Sequence, residues 1–249
     1  MLNQPFTGIH YFLKGFTLIT KPGIRQWILI PLLINIFLLS ALIYYGWLQY
    51  QTLIELVVNL IQSWLPDWEW LISMTRWLMM PLFMVTALIV VCFSFTFIAN
   101  LIAGPFNGML AEAVEKHLTG KSVESPTESW SQVLFGSLWW AIEPLWYYFK
   151  WAVVLLIVSL IPILNIISPI LWFLFGAWLV TLEYGDAPMG NHGHKPPIQR
   201  QIWAKKRLLA LGFGSMVLVA MLIPIINFFV MPVAVAGATS MWVREFADC

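Results

Sequence analysis

Pro22-Gly23-Ile24-Arg25 is the stretch whose residue types suit the chemistry of an anion. It opens a long apolar run. The first turn of a helix has backbone N–H groups without intrahelical partners and the positive end of the helix macrodipole. Gly23 lets an oxyanion come close to the backbone. Arg25 supplies a planar fork of donors that matches sulfate or phosphate geometry. The same residues also fit a helix start whose arginine anchors in lipid headgroups, and the residue types alone leave both readings open.

Other polar groups carry less. His192-Gly193-His194 would need further ligands to hold a metal, and the remaining histidines are His10 and His117, with no clustered cysteine. No metal site and no cofactor are expected. Glu183 and Asp186 read either as a paired acid or as interfacial caps just past an apolar helix end. Lys195, Arg200, Lys205, Lys206 and Arg207 read as a topology-setting, lipid-facing cluster, because nucleic-acid binding would need a larger exposed basic domain. There is no glycine-rich phosphate loop, nucleophile elbow or HExxH. The long apolar runs carry no convergent ionisable residues, so no catalytic site is expected and the chain does not read as an enzyme.

With 60% apolar side chains, 10% charged and 15 Trp in 249 residues, this is an integral membrane protein. Two cysteines, Cys92 and Cys249, give no disulfide framework. The first twenty residues lack the basic start, apolar core and small-residue cleavage site of a signal peptide, so no cleaved leader is expected. The expected architecture is all-α, a single membrane domain over 1–249. It has two long transmembrane helices, two half-inserted (re-entrant) helical hairpins and an N-terminal amphipathic interfacial helix.

That helix is expected over 4–20, where Phe6, Ile9, Leu13 and Phe16 recur at three- and four-residue spacing. The first crossing is expected over 24–50, with Trp27 and Trp47 at its ends. Residues 51–76 read as an interfacial belt carrying Trp64, Trp68 and Trp70. The second crossing spans 77–118, with a break at Gly104-Pro105-Phe106-Asn107. Ser125-Pro126-Thr127-Glu128 then caps a helix leading into the first hairpin.

The hairpins, 150–183 and 203–245, rest on a repeat. Leu160-Ile161-Pro162-Ile163-Leu164-Asn165 returns as Leu222-Ile223-Pro224-Ile225-Ile226-Asn227, and a second proline follows in each copy, Pro169 and Pro232. The uncharged runs around them, Trp151 to Leu182 and Leu208 to Val243, are 32 and 36 residues long. As single helices they would extend about 48 and 54 Å, too long for roughly 30 Å of hydrocarbon and too short for two full crossings. Proline removes a backbone donor and disfavours helix just before it, so the turns fall at Pro162, Asn165, Pro169 and at Pro224, Asn227, Pro232. With both hairpins returning to their own side, twelve of the thirteen Lys and Arg share the side of the N-terminus and only Arg76 is opposite. Single crossings would instead split them seven to six. The positive-inside rule prefers the first arrangement, with the N-terminus cytoplasmic.

Leu101-Ile102-Ala103-Gly104-Pro105-Phe106-Asn107-Gly108-Met109-Leu110-Ala111-Glu112, followed by Leu118-Thr119-Gly120, resembles the signature of the CysZ sulfate-permease family. So does Glu183-Tyr184-Gly185-Asp186-Ala187-Pro188-Met189-Gly190-Asn191-His192-Gly193. The resemblance covers nearly the whole chain. It implies a multi-pass protein of the bacterial inner membrane that admits sulfate for cysteine biosynthesis and assembles as a homo-oligomer. It also implies a sulfate site at a Gly-Leu-Arg-Arg turn, whose place here is taken by Gly23-Ile24-Arg25-Gln26. Gln26 removes one positive charge while keeping a donor. The expected partners are therefore sulfate, with sulfite and thiosulfate not distinguished from it, membrane lipid and further copies of the chain, and no nucleic acid. A non-transporting membrane scaffold with an incidental anion site is the alternative class.

Overall fold

A computed structural model describes residues 4–64, 69–122 and 130–246. The described elements are all helices. In order they are α1 (Gln4–Ile19), α2 (Gln26–Trp64), α3 (Glu69–Thr119), α4 (Trp130–Leu160), α5 (Pro162–Asn165), α6 (Ser168–Asn191), α7 (Pro196–Lys205), α8 (Arg207–Met221) and α9 (Pro224–Glu245). The cap at Ser125–Glu128, together with Trp68 and Cys249, lies outside the described residues.

The chain packs as two compact units, Leu29–Gly104 and Met1–Ile28 with Pro105–Cys249. The first holds most of α2 and α3, which meet at a ring contact of 4.6 Å between Tyr50 and Phe83. Tyr50 also donates to the Met80 sulfur at 2.9 Å. Residues 51–64, read as an interfacial belt, are a helical continuation of α2. Nothing between Gln51 and Trp64 is a glycine or proline, so nothing there stops a helix. The break expected at Gly104–Asn107 is likewise absent, and one helix is assigned from Glu69 to Thr119. A single proline costs one backbone bond, and membrane helices tolerate it.

The other unit is built around α1, which sits between α8 and α9. Its buried face is Gly8, Tyr11, Phe12, Gly15 and Leu18, a three- and four-residue repeat. This is not the stripe that hydrophobicity picks out, since Phe6 is 72% and Leu13 46% exposed. Close approach explains the difference. A Cβ on Gly15 would lie 2.1 Å from the Val233 carbonyl oxygen, and one on Gly212 would lie 2.1 Å from that of Pro5. Small residues let the backbones touch, so α1 packs the face of Gly8 and Gly15, with Tyr11, Phe12 and Leu18, on protein and leaves Phe6 and Leu13 outward. Tyr11 then donates to Glu245 at 2.8 Å, and Lys206 donates to the other oxygen of the same carboxylate at 2.6 Å.

Pro162, Pro169 and Pro224 each lie in the first turn of a helix. Pro162 opens α5 and Asn165 ends it, Pro169 lies in the first turn of α6, and Pro224 opens α9. Asn227 lies within the first turn of α9, its N–H donating to the Ile223 carbonyl at 2.8 Å. Pro232 departs from expectation, because α9 runs through it. The chain has already turned at Leu222–Ile223, and a second break would serve nothing. Trp172 donates to Ser159 at 3.1 Å, Ser159 and Ser168 share a short hydrogen bond, and Trp178 donates to Tyr147 at 3.2 Å. Pairs near the turn and far from it therefore both register, and α4 and α6 run antiparallel.

Three described helices are long and apolar enough to cross a membrane: Gln26–Tyr50, Ile142–Leu160 and Pro224–Glu245. The first lies within α2. The other two lie in the arms around the two proline turns.

Candidate functional site

Four residues after α1, the chain makes a tight turn that sets the start of α2. The Lys21 carbonyl accepts from the N–H groups of both Ile24, at 3.1 Å, and Arg25, at 3.2 Å. Trp27 and Ile28 donate to the Ile24 and Arg25 carbonyls at 3.0 and 3.2 Å. Gly23 holds the turn at φ +84°, a conformation in which a Cβ is strained. Ile24 drives its side chain into the core at 1% exposure and pins the turn in place.

Two of the donors anticipated for an anion are thus already used. Among the described residues, the N–H groups of Gly23 and Gln26 have no backbone partner. They border a cavity of about 430 Å³ lined by Pro22, Gly23, Ile24, Gln26 and Trp27 on one side. Met109, Glu112, Ala113, Lys116 and His117 of α3 close the other. Trp27 and Phe106, 6.3 Å apart between ring centres, pack the two sides together. Arg25 is exposed and does not line the cavity. Among the described residues it forms no ion pair.

Sequence reasoning missed the α3 half of this cavity. Its signal was present as Glu112, Lys116 and His117, charged or titratable groups at one-turn spacing where the apolar run of α3 ends.

The histidines of the Asn191–His194 segment do structural work. His192 Nε2 donates to both Glu115 oxygens, at 2.9 and 3.1 Å, and Asn191 Nδ2 donates to the Gly108 carbonyl at 2.8 Å. The rings of His192 and His194 both pack on Trp242, 5.6 and 5.5 Å from its centre. Burial, and next the neighbouring His192, hold the His194 imidazole below its usual range.

Glu183 and Asp186 do not cap a helix ending near residue 183. α6 continues through Pro188 to Asn191. Both acids line a second cavity with Tyr148, Gln199 and Arg200. Gln199, 3% exposed, donates to Asp186 at 2.7 Å and to the His194 carbonyl at 2.8 Å. Asp186 opens onto the cavity, yet its carboxyl is hemmed in by protein, and this desolvation raises its pKa above the usual carboxylate range. Arg200 donates to Glu143 from both terminal guanidinium nitrogens and lies 4.5 Å from the Tyr147 ring centre. Of the basic cluster read as lipid-facing, Arg200 and Lys206 therefore face protein carboxylates instead.

Both cavities fall within the stretch of chain that matches a known family. The family model described as sulfate transporter CysZ/etoposide-induced protein 2.4 covers residues 11–232, from inside α1 to inside α9. It takes in the Gly23 turn, the Glu112 and His192 segments and both proline turns. A match of that extent makes this chain a member of the family of the sulfate transporter CysZ and etoposide-induced protein 2.4.

Proposed function

We propose that the protein carries sulfate across the bacterial inner membrane by a channel-like or facilitated route, supplying cysteine biosynthesis. The observation that supports this most is the Gly23 turn. It offers two backbone donors at a helix start, an adjacent arginine without an ion pair, and a cavity whose far wall carries Lys116 and His117. Family membership gives sulfate as the anion to test first.

In this reading the Gly23 and Gln26 N–H groups and the Arg25 guanidinium hold the oxyanion. Gln26 adds a neutral donor where the family turn has a second arginine. The hairpins around Pro162 and Pro224 enter the bilayer from the cytoplasmic side and return, and the chain works as a homo-oligomer. The shorter arm of the second hairpin supports partial insertion. α8 has 15 residues and extends about 22 Å, short of the roughly 30 Å of hydrocarbon. The apolar turn side chains Ile163, Ile166 and Phe228 are 82, 81 and 83% exposed, as lipid or a second copy would require.

Purified protein in liposomes should take up labelled sulfate. Arg25→Ala should weaken sulfate binding in calorimetry by roughly 1.5–3 kcal/mol, the range for a hydrogen bond to a charged group, and Gln26→Arg should tighten it. Liposomes that stay closed to sulfate would favour a scaffold. Unchanged affinity in Arg25→Ala would return that residue to the headgroup region.

A further inference from the structure

The cavity at the Gly23 turn contains a group that an optimal sulfate trap would exclude. Glu112 lines it, opposite Gly23 and Gln26 and one helical turn before Lys116. Among the described residues, Glu112 has no ion-pair partner within 4.0 Å, so no salt bridge holds its carboxylate away from the cavity. The other polar groups around the cavity are donors or cations: the two backbone N–H groups, Gln26, Lys116 and His117.

Resting on the sulfate reading above, we propose that Glu112 sets both the affinity and the anion selectivity of this cavity, by repelling fully deprotonated oxyanions and sparing those that carry a proton. A carboxylate is only an acceptor when ionised. Sulfate at neutral pH is also only an acceptor, so the two repel and exchange no hydrogen bond. Monohydrogen phosphate has the same charge and a similar shape, but its O–H can donate to Glu112 and recover part of that cost. The donors capture the anion and the carboxylate keeps it loosely held. A conduction pathway needs that balance, because an anion bound too tightly does not leave. An anion store would have no use for Glu112.

The test is calorimetry and liposome flux on the full-length protein, with sodium sulfate and inorganic phosphate as the two probes. Glu112→Gln keeps the shape and removes the charge. It should tighten sulfate about tenfold, within the range by which a like charge at close range shifts an equilibrium. It should tighten phosphate by less than sulfate, because the phosphate O–H already recovers part of the repulsion, and it should lower the maximal sulfate flux while lowering the half-saturating concentration. Glu112→Ala, smaller and also uncharged, should tighten sulfate in the same direction, which separates charge from packing. Arg25→Ala serves as the reference. If it weakens sulfate while neither Glu112 variant tightens it, the role of Glu112 is overturned and the site stands. If Arg25→Ala leaves sulfate binding intact, the site reading falls and this inference falls with it. Equal tightening of sulfate and phosphate in Glu112→Gln would also overturn it, since selectivity by proton would then be absent.

Discussion

Gly15→Ala is the sharpest test of how α1 is held. The added Cβ would stand 2.1 Å from the Val233 carbonyl oxygen and 3.0 Å from both the carbonyl carbon and a side-chain methyl of the same residue, where ordinary contact begins at 3.4 Å. The nearest of these atoms is backbone, so no rotamer relieves the overlap, and α1 must lift by about 1 Å. Lifting it loosens Phe12, which is fully buried against α8. Overpacking of this kind costs roughly 1–3 kcal/mol, and rigid backbone on both sides places it near the top. Alanine recovers about 1 kcal/mol of helix propensity over glycine, leaving a net loss near 2 kcal/mol. For a chain of this size that corresponds to a melting temperature lower by about 4–8 °C, read by tryptophan fluorescence in detergent. Gly46→Ala is the matched control, because nothing lies within 4 Å of its added Cβ, and it should melt at or slightly above the parent. Gly212→Ala should behave like Gly15→Ala, and the double variant should lose less than the sum, since one lifted helix relieves both clashes. A Gly15→Ala protein that melts with its parent would refute the close packing of α1.

Asp186→Asn should raise thermal stability at pH 7 and make no difference near pH 3. The raised carboxyl favours the protonated form in the folded state, so its contribution is present below the unfolded carboxylate pKa and is lost as pH rises through the folded one. Melting curves from pH 3 to 8 would show this, and an equal gain at every pH would contradict it. Glu143→Gln should cost about 1–2 kcal/mol, between the values for exposed and buried pairs, because it leaves the 17%-exposed Arg200 side chain short of its countercharge. Adding Arg200→Met should restore part of the loss, and a double-mutant cycle without coupling would argue against the pair.

The helical class was legible because it depends on run length and composition, both printed in the sequence. Pro162, Pro169 and Pro224 each sit where a helix starts, the position at which a missing N–H costs nothing. Pro232 carries the same local signal but lies about two turns inside α9, so its neighbours decided its role. The packed face of α1 was hidden for a different reason. Gly8 and Gly15 add nothing to a hydrophobic stripe, and only the opposing backbones of α8 and α9 reveal why they are there. Half of the cavity at the Gly23 turn was legible as a helix start. The other half, Glu112, Lys116 and His117, comes from a helix some ninety residues later; its one-turn spacing marks a polar helix face but not that this face meets the Gly23 turn.

The seat of α1 has a consequence for how the protein is made. Tyr11 meets Glu245 across 234 positions of chain, and the two helices that grip α1 are α8 and α9. α1 leaves the ribosome long before either exists. Until they are synthesised, its glycine face has no partner and its exposed Phe6 and Leu13 face lipid or solvent. Contacts of such long sequence separation form late and slowly, and synthesis proceeds at about 5–20 residues per second. α1 must therefore wait on the order of ten seconds or more in a provisional place, and the membrane surface is where its outward apolar side chains can rest. A lipid-bound N-terminus would then be a stage of assembly, later exchanged for protein, and ribosome-stalled chains lacking α8 and α9 should show residues 4–19 open to protease while full-length chains protect them.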